Sequence, residues 1–429
     1  MEYNKIRRKT PPVRVGNRMI GGSAPIAIQS MTNTDTYDHA ATLGQVRALE
    51  AAGCDIVRVT VPTPEAADII LALREGGVTV PIVADIHFDY KAALRCAELG
   101  FDKIRINPGN IGGEDRVRAV VEACGARNIP IRIGVNGGSL EKHILAKYGA
   151  PTPEALCESA LYHASLLEKF DFHNIVLSIK TSTVHDMIEA NRRLASLCPY
   201  PLHLGVTEAG GGERGLLKGA IGIGSLLSDG IGDTVRVSLT DDPVREVSAA
   251  KQILRAVGID GQRGLDIISC PTCGRTKIDL IPLVRRFEDA VREEGLEDLP
   301  LRVALMGCVV NGPGEAREAD VGVAGGIHEA VLFRHGELVE KIAEDAIIPR
   351  LIAEIKKMGN ERHEYDATRN FFQVPRGRAG SRVDALRRPE FDPSALRQGA
   401  TDYRNSRRFR RSDPPRGSVP RRSGNPEGV

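Results

Sequence analysis

The chain has 429 residues, room for two or three domains around a large core, so its size makes no demand for disulfide staples. Hydrophobic residues at 41% and charged residues at 27% fit a soluble globular protein, and a formal net charge of +2 argues against a nucleic-acid binder or a strongly acidic surface. With 45 glycines, only 4% aromatics and no tryptophan, the chain suits an α/β enzyme whose backbone approaches phosphates, not a platform that stacks bases.

The N-terminus, MEYNKIRRKT, is basic but has no apolar stretch behind it, so no signal peptide is expected. No run approaches the ~18 apolar residues that span a bilayer. The expected compartment is the cytoplasm, where thiols stay reduced, so the eight cysteines read first as core residues, metal ligands or nucleophiles.

Short β-branched runs then recur along the chain: IAIQSMT (26–32), DIVRVTV (55–61), VPIVADIHF (80–88), KIRINPG (103–109), PIRIGVN (130–136), NIVLSIK (174–180), LHLGVTE (202–208) and DTVRVSLT (233–240). The segments between them are mostly amphipathic and helical, such as TLGQVRALEAAG (42–53), which ends on a glycine at the expected stop position. Eight strand-plus-helix units predict a (β/α)8 barrel, the TIM-barrel fold, over 1–263, with an open doubly wound sheet as the alternative. A smaller α+β domain is predicted over 264–367. It opens with DIISCPTCG (266–274), continues through a helix-like IPLVRRFEDAVREEG (281–295) and a strand LRVALMG (301–307), and closes after VLFRHGELVEKI (331–342) with a last helix. From Arg369 onward there are fifteen Arg, no Lys and six acids, a net +9 that leaves −7 for the residues before it. This stretch is rich in Pro, Gly and Ser and cannot bury enough surface to offset chain entropy, so 368–429 reads as a disordered tail.

Within the barrel half an arginine sits between two β-branched residues in Val57-Arg58-Val59, Ile104-Arg105-Ile106, Ile131-Arg132-Ile133 and Val235-Arg236-Val237. Side chains alternate faces along a strand, and the outer face of a barrel is covered by helices, so the arginines should point inward. Asn107 and Ser238 continue that face two residues on, and Asn136 continues it beyond Gly134. Asp85 and His87 repeat the spacing on the third strand, and Lys180 ends the sixth. All lie toward the C-terminal strand ends, where barrel enzymes place their active sites. Converging cations repel unless an anion sits among them, and guanidinium forks pair well with phosphate oxygens. The bland alternative is that each arginine salt-bridges a neighbouring carboxylate and only seals the barrel. Leu301-Arg302-Val303 warns of this, since it shows the same triplet outside the barrel. After the seventh strand comes Glu208, an acid at the mouth of a cationic pocket. Its residue type suits a proton donor or the orienter of a substrate hydroxyl, and equally a simple charge balance. No Walker motif is present, and no G-x-G-x-x-G opens a helix after the first strand, so nucleotide binding is not supported.

Cys54, Cys96, Cys124, Cys157 and Cys198 fall singly in helical or apolar contexts and read as small core residues. Cys270-Pro-Thr-Cys273 differs, because two thiolates at that spacing can clamp one metal centre. After 34 intervening residues comes Cys308, and after six more Glu315, in GCVVNGPGE. Three thiolates and an oxygen ligand would leave one iron of a [4Fe–4S] cluster accessible to substrate. A structural zinc with three cysteines and a histidine, or a redox dithiol, remain open on these residues alone.

The motifs IQSMTNTDT, VRVTVP, VADIHF, KIRINPGNIG, IRIGVNGGSL, LSIKTS, GVTEAG, GIGDTVRVSLT, SCPTCGR and MGCVVNGPGEA run in order over about residues 10–367. Together they closely resemble the bacterial 4-hydroxy-3-methylbut-2-enyl diphosphate synthase family of the non-mevalonate isoprenoid pathway, in its short two-domain form. The resemblance implies a TIM barrel joined to a [4Fe–4S] domain, and a head-to-tail homodimer in which one subunit's cluster domain covers the partner's barrel. It implies reductive ring opening and dehydration of 2-C-methyl-D-erythritol 2,4-cyclodiphosphate, with two electrons from flavodoxin or ferredoxin. Carried over residue by residue, Cys270, Cys273, Cys308 and Glu315 would hold the cluster. Arg58, His87, Arg105, Arg132, Asn136, Lys180, Arg236 and Ser238 would hold the diphosphate, and Glu208 would be the acid–base residue; Asp85, from its place on the same face, is expected at the substrate site as well. The Arg-rich tail is a departure that the family pattern does not require. Two competing readings are a Schiff-base aldolase-like barrel using Lys180 and a nucleic-acid-binding protein acting through the tail.

Overall fold

The computed structural model describes residues 6–259, 264–309, 314 and 317–371. The chain enters through a short antiparallel hairpin, β1 (Val13–Val15) and β2 (Arg18–Ile20), that turns at Gly16-Asn17. Gly16 has φ +55°, and a Cβ there would lie 2.6 Å from Asp102 Oδ1, so the turn requires glycine twice over. Eight parallel strands follow: β3 (Ala27–Met31), β4 (Ile56–Thr60), β5 (Ile82–Asp85), β6 (Lys103–Ile106), β7 (Ile131–Asn136), β8 (Ile175–Lys180), β9 (His203–Leu204) and β10 (Thr234–Val235). They pair in the order β8-β7-β6-β5-β4-β3-β10-β9, and a parallel bridge between Leu177 and Leu202 brings the two ends of the series together. That closure decides against an open sheet.

Each strand is bracketed by the helix that its sequence announces. The helix Tyr90–Leu99 is capped by Asp89, whose side chain accepts from Lys91 N–H, and stops at Gly100 in the left-handed conformation, φ +85°. Ala92, Ala93, Cys96 and Ala97 turn inward at three- and four-residue spacing. The β-branched flanks of each strand pack outward on such helices and form one continuous core, which includes Val57, Val59, Ile104, Ile106, Ile131 and Ile133.

The opposite, inward face of the strands is layered. At the N-terminal end Ala27, Ile56, Val83 and Val176 pack against Val13, Val15 and Ile20 of the hairpin, which closes the floor of the barrel. Above them lie the buried polar residues Gln29, Lys103, Ser178, His203 and Thr234. Two residues further along the same strands come the charged groups of the mouth.

From Asp266 a second sheet forms in the order β11 (Asp266–Ser269), β12 (Arg302–Met306), β13 (Val321–Gly325), β14 (Glu329–Arg334), β15 (Glu337–Ala343), with β11, β12 and β13 parallel and the last two strands antiparallel. The helix Leu280–Glu293 lays Leu280, Leu283, Phe287 and Val291 along one buried stripe, and these meet Val303, Val323, Leu332 and residues of the helix Ile347–Phe371. Burying Phe287 in this way is worth on the order of 2–3 kcal/mol. The last helix runs to Phe371, past the compositional boundary at 368, and the rest of the Arg-rich tail lies outside the described residues. Among the described residues no helix is long and apolar enough to cross a membrane.

Candidate active site

The mouth of the barrel gathers the inward side chains that strand alternation singled out. Cα registers set Asp85 beside Arg105 and Arg105 beside Arg132 on three neighbouring strands. Asp85 is 2% exposed and is the anion at the centre: Arg105 donates to it at 3.0 Å, Arg58 stands 3.7 Å away and His87 3.8 Å. Burial works to raise the Asp85 carboxyl, but the surrounding charges of Arg58, Arg105, His87 and Arg132 outweigh it and hold the group well below the usual carboxylate range. Across the barrel Arg236 forks onto Glu246, with both nitrogen–oxygen distances 3.2 Å. Glu246 comes from the helix Pro243–Val257 and also accepts from Ser30 Oγ at 2.8 Å and Leu239 N–H at 3.1 Å.

Cations outnumber these two carboxylates. Lys180 is buried and its ammonium is pushed far below its ordinary value, first by burial and then by Arg236, Arg132 and Arg58. Arg132 is shifted down in the same way, and its Nε and Nη2 are buried without a partner. Arg58 is lowered to about 10 by burial and by Arg236 and Arg105, against the pull of Asp85. Unpaired buried guanidinium nitrogens are costly, and an entering anion with several oxygens would relieve both the missing bonds and the repulsion. Two glycines make room for these heads. A Cβ at Gly134 would lie 2.6 Å from Arg105 Nε, and one at Gly205 would lie 2.9 Å from Lys180 Nζ.

The other expected residues lie around this centre. Asn136 is the Cα partner of Lys180 and is partly buried, and His87 is half-exposed at the rim. β9 and β10 are shorter than their β-branched runs, so Glu208, Arg236 and Ser238 lie beyond strand ends, although Arg236 N–H still donates to Leu204 O at 2.9 Å. Glu208 is exposed and holds φ +52°, a left-handed conformation that is uncommon for a residue with a side chain. No described residue pairs with its carboxylate.

The cysteines divide by position. Cys54, Cys96, Cys124 and Cys157 are buried in the barrel half, and Cys198 is partly so. In the second sheet Cys270 follows β11 and Cys308 follows β12, so adjacent parallel strands deliver both to one edge. Gly307 N–H donates to Cys270 Sγ at 3.3 Å, and Cys273 N–H donates to Thr276 Oγ1 at 3.0 Å. Cys273 is exposed, and its thiol is lowered chiefly by a backbone hydrogen bond from Arg275, with the Arg275 charge assisting and Cys308 opposing. Glu315 lies outside the described residues. Among the described residues no group of three His, Cys, Asp or Glu side chains is close enough to hold a single metal ion. A cluster poses a different requirement, since each thiolate binds its own iron. Three cysteines from the loops that leave two adjacent strands, with a backbone donor on one sulfur and a lowered thiol on another, fit that requirement.

Sequence reasoning did not find several residues of the mouth. Met31 accepts from Arg58 Nε at 3.0 Å and lies 3.7 Å from Arg236 Nη1. Glu246 is hidden in a helical pattern, and Lys103 and His203 are buried in the layer beneath. Lys103 carried a usable signal, because it lies two residues before Arg105 and therefore shares its face.

Residues 10–251 match the GcpE TIM-barrel domain, and residues 266–357 match the GcpE protein C-terminal domain. The chain is 55% identical over 357 residues to a 4-hydroxy-3-methylbut-2-en-1-yl diphosphate synthase (flavodoxin) of Caldanaerobacter subterraneus subsp. tengcongensis, covering 83% of this chain and 99% of that one. It is 53% identical to the like-named protein of Fusobacterium nucleatum, covering 83% and 98%. It is 54% identical to that of Maridesulfovibrio salexigens, covering 82% and 97%.

Proposed function

The chain belongs to the GcpE family, and on that premise we infer that it catalyses the reductive ring opening and dehydration of 2-C-methyl-D-erythritol 2,4-cyclodiphosphate to 4-hydroxy-3-methylbut-2-enyl diphosphate. Two electrons and two protons enter, a carbon–oxygen bond to phosphate breaks, and one water leaves. The observation that carries this reading is the excess of buried cations at the barrel mouth, with Arg132 nitrogens left unpaired. Arg58, Arg105, Arg132, Lys180 and Arg236 bind the diphosphate, with His87, Asn136 and Ser238 completing its contacts. The same cations stabilise the negative charge that grows on the phosphate oxygen as its bond to carbon breaks, and they do so without reorganising. Asp85 is buried and ionised between the arginines, so it acts through them by fixing where Arg58 and Arg105 point. Glu208 supplies a proton to the departing hydroxyl, a role that suits an exposed carboxylate with no partner among the described residues.

Cys270, Cys273, Cys308 and Glu315 would hold a [4Fe–4S] cluster, which supplies electrons one at a time. The relatives' names carry flavodoxin, and we take it as the electron donor here too. A head-to-tail homodimer and a cytoplasmic location complete the reading. The lowered ammonium of Lys180 would also suit a Schiff-base nucleophile, but the family match supports the diphosphate reading, and arginine neighbours suit a phosphate contact.

The test is anaerobic purification with iron and sulfide analysis, followed by turnover of the cyclic diphosphate with reduced flavodoxin. A brown protein with stoichiometric iron and sulfide and measurable turnover is expected. Zinc without iron would sink the reading. In the same assay Glu208→Gln should keep its iron and lose ~10²-fold or more in kcat. Unchanged kcat would remove Glu208 from the proton-transfer role.

A further inference from the structure

Outside the mouth, one buried ionisable pair that no step above uses is Glu141 with His163. His163 lies on the helix Pro153–Glu168 with its side chain fully buried, among the inward residues Leu156, Ala160 and Leu167. Its Nε2 is bonded to Glu141 Oε1, while its Nδ1 is buried without a partner. Glu141 stands just after the segment that leaves β7, at the start of the helix Lys142–Tyr148. Burial would raise its carboxyl, but the bond and charge of His163 bring it down to about 2.

A third element rests on this pair. The turn Pro108–Ile111 leaves β6, and a Cβ added at Gly109 would lie 3.1 Å from His163 Cε1 and 3.2 Å from Glu141 Oε1. The glycine therefore lets the turn sit directly on the imidazole–carboxylate bond. Gly109 N–H donates to Asn107 Oδ1 at 3.2 Å, and Asn107 is two residues beyond Arg105. The pair thus ties together the segments leaving β6 and β7, the strands that carry Arg105, Arg132 and Asn136. A buried polar pair is seldom the most stabilising filling for such a space, and a half-satisfied one is less so. Its position beneath two substrate-facing segments gives the exception a reason.

We propose that Glu141 and His163 form a positioning pair that fixes the segments leaving β6 and β7, and with them the reach of Arg105 and Asn136 toward the diphosphate. This rests on the reading of the barrel mouth as a diphosphate site. The experiment uses the full chain, purified anaerobically with its iron, and measures inorganic pyrophosphate affinity by calorimetry together with KM, kcat, iron content and Tm. E141A and H163F should each weaken pyrophosphate binding and raise KM about tenfold or more, the scale of a small misplacement, with iron content at the wild-type level. E141Q retains an acceptor for His163 and should recover most of the affinity. G109A leaves both partners intact, presses its added Cβ onto the imidazole–carboxylate bond, and should reproduce part of the loss even where E141A or H163F folds poorly. Wild-type KM and pyrophosphate affinity in G109A, or in a folded E141A, would overturn the pair's role. Failure of the wild type itself to bind pyrophosphate would overturn the diphosphate site instead, so the two results are separable.

Discussion

In the barrel the thiols of Cys54, Cys124 and Cys157 are pushed up to about 12 by burial, whereas in the second sheet the thiol of Cys273 is exposed and lowered by the backbone and charge of Arg275. Arginine reverses the pattern. Arg132 is buried in the barrel with nitrogens unpaired, while Arg302 on β12 lies at the surface and pairs with Asp266 at 2.8 Å. One residue type is inert filling in one unit and a candidate ligand in the other, and the second type exchanges those roles. Environment sets this division: burial suppresses a thiolate, yet it sharpens the attraction of a cation for an incoming anion.

That contrast can be broken most completely at the cysteines. C273S should lose iron, colour and turnover together, while C124S should keep all three, as measured by iron and sulfide analysis. Wild-type iron in C273S would remove it from the ligand set. At the mouth, R132M should cut kcat/KM by ~10²–10³-fold and weaken pyrophosphate binding with iron content unchanged. A change confined to stability would mean that Arg132 merely seals the barrel. D85N leaves buried arginines without their anion and should cost about 3–5 kcal/mol in urea unfolding. The folded carboxyl is depressed, so its stabilisation is fully present above the unfolded value near ~3.9 and is lost as pH falls from there through the folded value. D85N should lack this acid-side loss, and an unchanged acid limb would contradict it. Smallest of all, R302A removes a half-exposed surface pair and should cost under about 1 kcal/mol, despite having the same apolar–Arg–apolar triplet as Arg58 and Arg105. A larger loss would mean that the triplet, not its surroundings, decides.

The strands were legible because β-branched runs and a period of two are local properties. Val57-Arg58-Val59 states on its own which way Arg58 points, once a barrel is assumed. The hairpin at the floor was missed because each of its strands is only three residues long, and Gly16-Asn17 between them is a weak sign alone. Glu246 was missed because its helix buries it by the same spacing that buries Val247 and Leu254, and only the folded ring brings it to Arg236. His163 was hidden likewise, on a helix whose pattern predicts core, with Glu141 22 residues away. Local rules found the side chains that share a strand face. The partners that hold those side chains in place come from elsewhere in the chain.

The hairpin of β1 and β2 has one more effect on catalysis. With Val13, Val15 and Ile20 packed under Ala27, Ile56, Val83 and Val176, the barrel is sealed at that end and opens only at its mouth. If the cations of the mouth bind the diphosphate as proposed, substrate and product share one doorway, and a bound product bars the next molecule. Inhibition by the product should therefore be competitive with the substrate.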